Sequence, residues 1–307
     1  MYLKKPVFWN NKNLLSVFLY PLTLITFLIN LSKNLNKKKK FSIKTICVGN
    51  IYLGGTGKTS LVIKINKLLS KKYKTVFIKK KYTNQVDEQK LLELNGNLIC
   101  SKTRDKAIKN AENKNYEVGI LDDGLQDKSI KYDVSIVCFN TTSGFGNSFL
   151  LPAGPLRENI SALNNYDAIF LNGEKKNTQL KSIIKKSNKD IKVFEGKYIP
   201  TNLKSFNRNK KYIIFSGLGN PQEFKETLKK YNFKIEKNIT FPDHYKFTSS
   251  DICKIKEIAK IKKLKILTTE KDYLRLNKND KKNIKYLKIE LQIKNSKNFL
   301  NFLKKKL

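Results

Sequence analysis

The residues able to do chemistry in this sequence fall into a few short stretches. The first is VGNIYLGGTGKTS, residues 48–60, where an apolar run ending at Val48 leads into Gly54, Gly55 and Gly57 and then straight into Lys58, Thr59 and the helix-like LVIKINKLL. Glycines let backbone N–H groups converge on an oxyanion, a helix start adds its positive dipole end, a lysine reaches the outer phosphates of a nucleotide, and a threonine hydroxyl binds Mg²⁺. Tyr52, Leu53, Gly54, Gly55, Thr56, Gly57, Lys58 and Thr59 therefore read as a phosphate-binding loop for ATP. The loop departs from a strict G-x-x-x-x-G-K-[ST] at its first position, where Tyr52 stands in place of glycine.

The other stretches are acidic, basic or imidazole-bearing. Asp122 and Asp123 follow the apolar run 118–121, where a protein of this kind places the acid that holds or orients Mg²⁺. Alone, Asp-Asp-Gly signals a turn; behind a strand, in a chain with a phosphate loop, it reads as a metal site. Asp87 and Glu88 form a second acidic pair. A surface charge pair is the default for such a doublet, and the chemical reading makes Asp87 the acceptor of a hydroxyl proton and Glu88 a support for the metal. His244, the only histidine, sits in FPDHYKF between Asp243 and Tyr245, where a carboxylate can orient an imidazole. In LPAGPLRE, 151–158, two prolines and a glycine stiffen a loop that displays Arg157, either a rigid surface turn or a bidentate phosphate clamp.

Positioning these groups calls for an α/β fold. The runs KTVFI (74–78), VGILDD (118–123), VSIVCF (134–139) and AIFLN (168–172) are short, apolar and alternate with amphipathic segments such as DKAIKNAENK (105–114). This is the pattern of a parallel sheet covered by helices on both faces, and ligands of such sheets lie at the C-terminal strand ends. A second α/β unit begins near KYIIFSGLGNPQEFKETLKKY (211–231), continues through ILTT (266–269) and IKYLKIELQI (284–293), and ends in a helix. The expected division is 1–40, an N-terminal membrane-associated helical segment; 41–205, the phosphate-loop domain; and 206–307, a smaller C-terminal α/β domain.

Composition adds constraints. The formal charge of +38 over 307 residues is extreme. Lys, Asn and Ile dominate throughout and Arg is scarce, as an AT-rich coding sequence produces; an anionic lipid surface or phosphorylated substrate is the functional counterpart. The lysines are spread along the chain with no nucleic-acid-binding motif, so no nucleic acid is expected as partner. Cys47, Cys100, Cys138 and Cys253 form no metal-ligand or disulfide spacing, which points to a reducing compartment. The run 14–31, LLSVFLYPLTLITFLINL, carries no charge and sits at the lower length limit for a membrane span. Pro21, the polar Ser16, Thr23, Thr26 and Asn30, and the flanking lysines favour a helix or helix pair lying in the interface.

Together VGNIYLGGTGKTS, LDDGLQ, LPAGPLRE, FSGLGNPQEF, FPDHYKF and TTEKDYLRL, with PVFW and the apolar helix before them, resemble the tetraacyldisaccharide 4'-kinases in order and approximate spacing over nearly the whole chain. The resemblance implies transfer of the ATP γ-phosphate to the 4'-hydroxyl of a disaccharide 1-phosphate lipid, the lipid A precursor, with ATP and Mg²⁺, at the cytoplasmic face of the inner membrane. It also implies a P-loop NTPase-like domain and a smaller α/β domain meeting at the active site. Residue by residue, it implies phosphate binding by Tyr52–Thr59, with Lys58 catalytic; metal binding by Thr59, Asp122, Asp123 and Glu88; activation of the acceptor hydroxyl by Asp87 with His244; and substrate binding by Gln126, Arg157 and Arg104. One segment departs from the family pattern: Lys80, Lys81, Tyr82 and Thr83 stand where relatives carry Arg-Gly-Tyr-Gly, and Asp87 follows almost at once. A rival of another class is a membrane- or DNA-partitioning ATPase with a K-G-G-x-G-K-T loop, but position 53 is Leu, so its signature lysine is missing.

Overall fold

The computed structural model describes residues 6–34, 37–82 and 85–307, so Thr83 of the departing segment lies outside it. In chain order the elements are α1 (Leu14–Phe18), α2 (Thr23–Asn34), β1 (Lys44–Gly49), α3 (Lys58–Leu69), β2 (Thr75–Lys80), α4 (Val86–Glu93), β3 (Leu98–Ser101), α5 (Arg104–Asn113), β4 (Val118–Asp122), β5 (Val134–Asn140), β6 (Ala168–Asn172) and α6 (Thr178–Ser187). Then follow β7 (Lys192–Pro200), β8 (Lys211–Ser216), α7 (Pro221–Lys230), β9 (Lys234–Thr240), α8 (Ser249–Ile261), β10 (Lys265–Thr269), α9 (Glu270–Arg275), β11 (Ile284–Leu287), β12 (Ile289–Ile293) and α10 (Ser296–Lys306).

The chain divides into two compact units. The larger holds residues 6–81, 95–198 and 291–307. Its sheet runs β12-β7-β6-β5-β1-β4-β2-β3, and neighbours from β7 to β3 are parallel. β4, β5 and β6 are buried at every position, because helices cover both faces of a parallel sheet. Val48 at the end of β1 is in register with Asp122 at the end of β4, which brings the start of the phosphate loop and the first acid of the Asp-Asp pair to the same sheet edge. The smaller unit holds residues 82–94 and 199–290, with the parallel sheet β11-β10-β8-β9 and α7, α8 and α9 beside it.

Two boundaries differ from those expected. Helix α4, with Asp87 and Glu88, belongs to the smaller unit, because it packs on α9 although it lies between two strands of the larger sheet in sequence. The run 284–293 is not one strand: β11 joins the small sheet and β12 the large one. The turn between them is pinned where Lys288 N donates to Asn202 Oδ1 at 2.9 Å and the Lys288 carbonyl accepts from Thr201 N at 2.9 Å. The C-terminal helix α10 consequently packs in the larger unit, its Phe299 edge-on to Phe170 and Phe194.

The N-terminal helices are inverted relative to an ordinary surface helix. Leu14 is 90% exposed and Phe18 80%, and Leu15, Val17, Leu24, Ile25, Phe27, Leu28, Ile29 and Leu31 are exposed as well. The polar residues turn inward: Ser16 and Thr23 are buried, Thr26 Oγ1 donates to the Leu151 carbonyl at 2.8 Å, and Asn30 Nδ2 donates to the Arg157 carbonyl at 2.7 Å. Thr26 and Asn30 thus hold the helix on the 150–158 loop, while Ser16 and Thr23 bond the local backbone at Asn13 and Tyr20. No helix among the described residues is long and apolar enough to cross a membrane.

That loop also clasps the phosphate loop: Leu53 N donates to the Pro155 carbonyl at 2.8 Å and Arg157 N to the Ile51 carbonyl at 2.7 Å. Gly154 sits in its tightest part, where an added Cβ would lie 2.4 Å from the Phe149 carbonyl oxygen. Backbone must move to admit it. Gly154→Ala is expected to cost about 1–3 kcal/mol of stability, read as a lowered urea midpoint with an unchanged m-value; an unchanged midpoint would show that the loop yields freely.

Candidate active site

The phosphate loop is built as its residue types require. Gly57 is the N-cap of α3 with φ +91°, a left-handed conformation that L side chains avoid, and a Cβ there would come within 2.5 Å of Asn172 Nδ2. Asn50 Nδ2 holds the turn by donating to the Gly54 carbonyl and to Thr56 Oγ1, each at 3.2 Å. Tyr52, at the position where glycine is usual, is buried in the core and not turned to the loop's concave side as a glycine substitute, and Leu53 is partly exposed beside it.

Lys58, Thr59, Asp122 and Asp123 converge. Thr59 Oγ1 is 3.2 Å from Asp122 Oδ2, and Lys58 Nζ is 3.8 Å from Asp123 Oδ2. Asp123, at φ +60°, donates its N–H to the Val48 carbonyl at 2.8 Å, which fixes the carboxylate beside the loop. Burial alone would raise its pKa, but Lys58, Arg157, Lys79 and Arg104 outweigh that and lower it, so Asp123 is anionic. Asp122 Oδ1 is buried without a hydrogen-bond partner. A hydroxyl and two adjacent carboxylates, one with an oxygen unused, fit the few-ligand oxygen shell that Mg²⁺ adopts when nucleotide phosphates complete it. Among the described residues no three His, Cys, Asp or Glu side chains form a stand-alone metal site.

The expected substrate-side residues lie around Asp123. Arg157 Nη1 is 3.3 Å from Asp123 Oδ1 and 3.0 Å from Gln126 Oε1, and the side chain is 27% exposed. Gln126 Nε2 donates to the Asn50 carbonyl at 2.8 Å and to Glu158 Oε1 at 3.0 Å. Arg104 donates to the Asp123 carbonyl and pairs with Asp127 at 3.4 Å, so here it braces the backbone of Asp123. Lys79 was invisible in the sequence. It is 1% exposed, and its Nζ lies 2.8 Å from Asp122 Oδ2, yet it stands in a triple-lysine run that composition makes look solvated. The buried Cys47 thiol, pushed up to about 12 by burial, is no nucleophile.

A second cluster lies within the smaller unit. Asp87, in the first turn of α4, is 1% exposed and is gripped by Arg275, with Nη2 2.7 Å from Oδ2. His244 Nδ1 faces Asp87 Oδ1 at 3.5 Å, too long and poorly directed for a formed hydrogen bond, so the imidazole is held there chiefly by charge. His244 takes φ +55°, in a turn where its N–H meets Asp243 Oδ1 at 3.0 Å, and its side chain remains 25% exposed. Burial would raise Asp87, but His244, Arg275 and Lys271 pull it down to about 2; burial would lower His244, but Asp87 and Asp243 raise it above 6.5. Glu88, expected as a metal support, is 3.0 Å from Lys271 within this unit, whereas Thr59, Asp122 and Asp123 belong to the larger one.

A parallel sheet carrying a phosphate loop at the end of β1, with adjacent acids at the end of β4, defines a P-loop nucleotide-binding fold of the phosphotransferase and NTPase class. The model of the tetraacyldisaccharide-1-P 4'-kinase family matches residues 13–307. The chain is 47% identical over 308 residues to the tetraacyldisaccharide 4'-kinase of Pelagibacter ubique, covering 99% of this chain and 98% of that one. It is 35% identical to the enzyme of that name from Rickettsia typhi, over 94% of each. A crystal structure of the "apo" form of LpxK from Aquifex aeolicus in complex with ATP shares the fold, with a TM-score of 0.73 at 23% identity over 95% of this chain and 99% of that one. The chain belongs to the tetraacyldisaccharide 4'-kinase family.

Proposed function

We infer that this chain transfers the γ-phosphoryl group of ATP to the 4'-hydroxyl of a tetraacyldisaccharide 1-phosphate lipid in lipid A synthesis. The observation that carries this reading is the convergence of Lys58, Thr59, Asp122 and Asp123 on one sheet edge in a member of that kinase family. Backbone amides of the glycine loop and the Lys58 ammonium hold the β- and γ-phosphates. Thr59, Asp122 and Asp123 are the residues to hold Mg²⁺, which when bound neutralises charge on the phosphate oxygens. The sugar oxygen attacks the γ-phosphorus in line, the bond to the β–γ bridging oxygen breaks, and ADP leaves.

The hydroxyl proton goes to the Asp87–His244 pair. Both Asp87 oxygens face other groups and the carboxylate is buried, whereas His244 retains an exposed edge. His244 is therefore the acceptor, with Asp87 fixing its ring and stabilising the imidazolium, the division of labour of an acid–imidazole dyad. The decisive assay follows labelled γ-phosphate from ATP into the purified disaccharide lipid. Hydrolysis to free phosphate without lipid labelling would overturn the reading in favour of an ATPase.

The inverted N-terminal helices support a further element of this function, docking on the anionic inner-membrane surface from the cytoplasmic side. A contiguous exposed apolar face with polar residues turned inward suits the headgroup boundary, and the surrounding lysines suit anionic lipid. Burying each large apolar side chain contributes about 1.5–3 kcal/mol. Replacing exposed Phe18 and Leu28 together by Glu is accordingly expected to lower co-sedimentation with phosphatidylglycerol-containing vesicles at least about tenfold while sparing ATP binding. Equal sedimentation of variant and parent would remove the docking surface.

A further inference from the structure

We propose that Arg275 is a positioning residue of the phosphoryl transfer, clamping Asp87 from the neighbouring helix α9 so that the carboxylate meets His244 in one fixed orientation. The inference rests on the assignment of Asp87 and His244 as the proton-accepting pair.

The clamp is anchored on three sides. Arg275 Nη2 lies 2.7 Å from Asp87 Oδ2, while its Nη1 lies 2.8 Å from Asp272 Oδ1 and donates to the Gly217 carbonyl at 2.8 Å. Asp272 is itself fully buried and held, with Oδ1 accepting from Gly217 N at 3.1 Å and Oδ2 from Thr269 Oγ1 at 2.6 Å. A Cβ on Gly217 would come within 3.2 Å of Arg275 Nη1 and 3.4 Å of Asp272 Oδ1, so the glycine after β8 makes room for this ion pair. The planar guanidinium is what permits the arrangement, since it offers separate N–H groups to Asp87 and to the Asp272–Gly217 anchor at once, which a lysine ammonium cannot reproduce. Arginine is otherwise nearly excluded from this chain, with four among 63 basic residues, and Arg104, Arg157 and Arg275 all hold buried or half-buried carboxyl or carbonyl groups.

The contacts of Arg275 run to Asp87, Asp272 and Gly217, so it acts through Asp87. The charged groups around the Asp87–His244 pair are Arg275, Lys271 and Asp272 from α9, acting on Asp87, and Asp243 from the loop after β9 and Glu88 from α4, acting on His244. Freed from Arg275, the carboxylate can turn away from the imidazole.

The test compares Arg275→Lys, Arg275→Met and Asp87→Asn, each checked by its thermal unfolding midpoint, in the lipid phosphorylation assay and in ATP binding. Arg275→Lys keeps the buried charge and hence the fold, and is expected to lower kcat about tenfold or more with the ATP Kd unchanged within about twofold. Arg275→Met is expected to lose more, and to move the rising limb of kcat to lower pH, because the released carboxylate no longer faces and stabilises the imidazolium. If Asp87→Asn is inactive while the lysine variant retains the parental kcat and pH limb, the clamp is refuted and the pair stands. If Asp87→Asn is fully active, the reading of the pair falls, and the clamp with it.

Discussion

Lys58→Ala is expected to lower kcat for phosphoryl transfer by about a thousandfold or more, with little change in thermal stability. The transferring phosphoryl group gives the protein little covalent chemistry to perform, so positioning and charge stabilisation supply the rate, and single charged contacts of this type are worth about 10²–10⁵-fold. Lys58 is the ammonium at the mouth of the loop, 16% exposed and 3.8 Å from Asp123, an ion pair too long for a direct hydrogen bond. Asp123 retains Arg157 when the lysine is removed. Turnover of labelled ATP into lipid, together with the unfolding midpoint, separates the two effects. Parental turnover in the variant would end the assignment of this loop as the nucleotide site.

Asp87→Asn is expected to lower kcat by about 10²–10⁴-fold and to displace the pH profile of what activity remains. His244 must be neutral to accept a proton, so the parental rate rises as pH passes upward through its folded pKa, which is raised because burial, which lowers it, is outweighed by Asp87 together with Asp243 and Glu88. Without that carboxylate, burial favours the neutral ring and the limb moves to lower pH, the same direction as expected for Arg275→Met. Stability should respond as well. Asp87, held down at about 2, contributes stability that is present above the ordinary carboxylate range and lost as pH falls towards 2. His244, raised, contributes stability present below its ordinary pKa and lost as pH climbs through the folded one. A profile unmoved by Asp87→Asn would show that the two side chains do not act as a pair.

The phosphate loop and its acids could be read from the sequence because each is a contiguous run whose geometry is local. An apolar strand, glycines, Lys58 and a helix-forming run must give a strand, a turn with positive φ and a helix start, and β1, Gly57 and α3 are that arrangement. Asp122 and Asp123 were legible for the same reason, as the first polar residues after an apolar strand. The strand at 168–172 has the expected limits, and those near 118 and 134 differ by a single residue, since full burial leaves an unbroken apolar signature.

The N-terminal segment was only half legible. An uncharged run shows that something apolar is there, but not which side of the helix each residue takes when the usual pattern is reversed. Thr26 and Asn30 look like interruptions in a list of residues, and in the fold they are the hydrogen bonds that seat the helix. Lys79 was hidden for a related reason: a lysine beside two others in a chain of charge +38 carries no sign that its ammonium is buried against Asp122. Arg275 did carry a signal, the rarity of arginine in so lysine-rich a chain, which marks positions where a flat, multiply donating cation is required.

The order of residues along the chain was therefore sufficient for the kind of chemistry and for the parts that local backbone geometry assembles: a nucleotide loop, an acidic strand end, an apolar surface segment. It was not sufficient for membership of each compact unit. Helix α4 joins the smaller unit because it packs on α9, far away in sequence, and β12 returns to the large sheet although it follows β11 almost directly. Asp87, His244, Asp272 and Arg275 come from three separated segments, and nothing in their local spacing brings them together. Ion pairs between distant segments depend on where packing places their backbones, and packing is settled by burial summed over the whole chain.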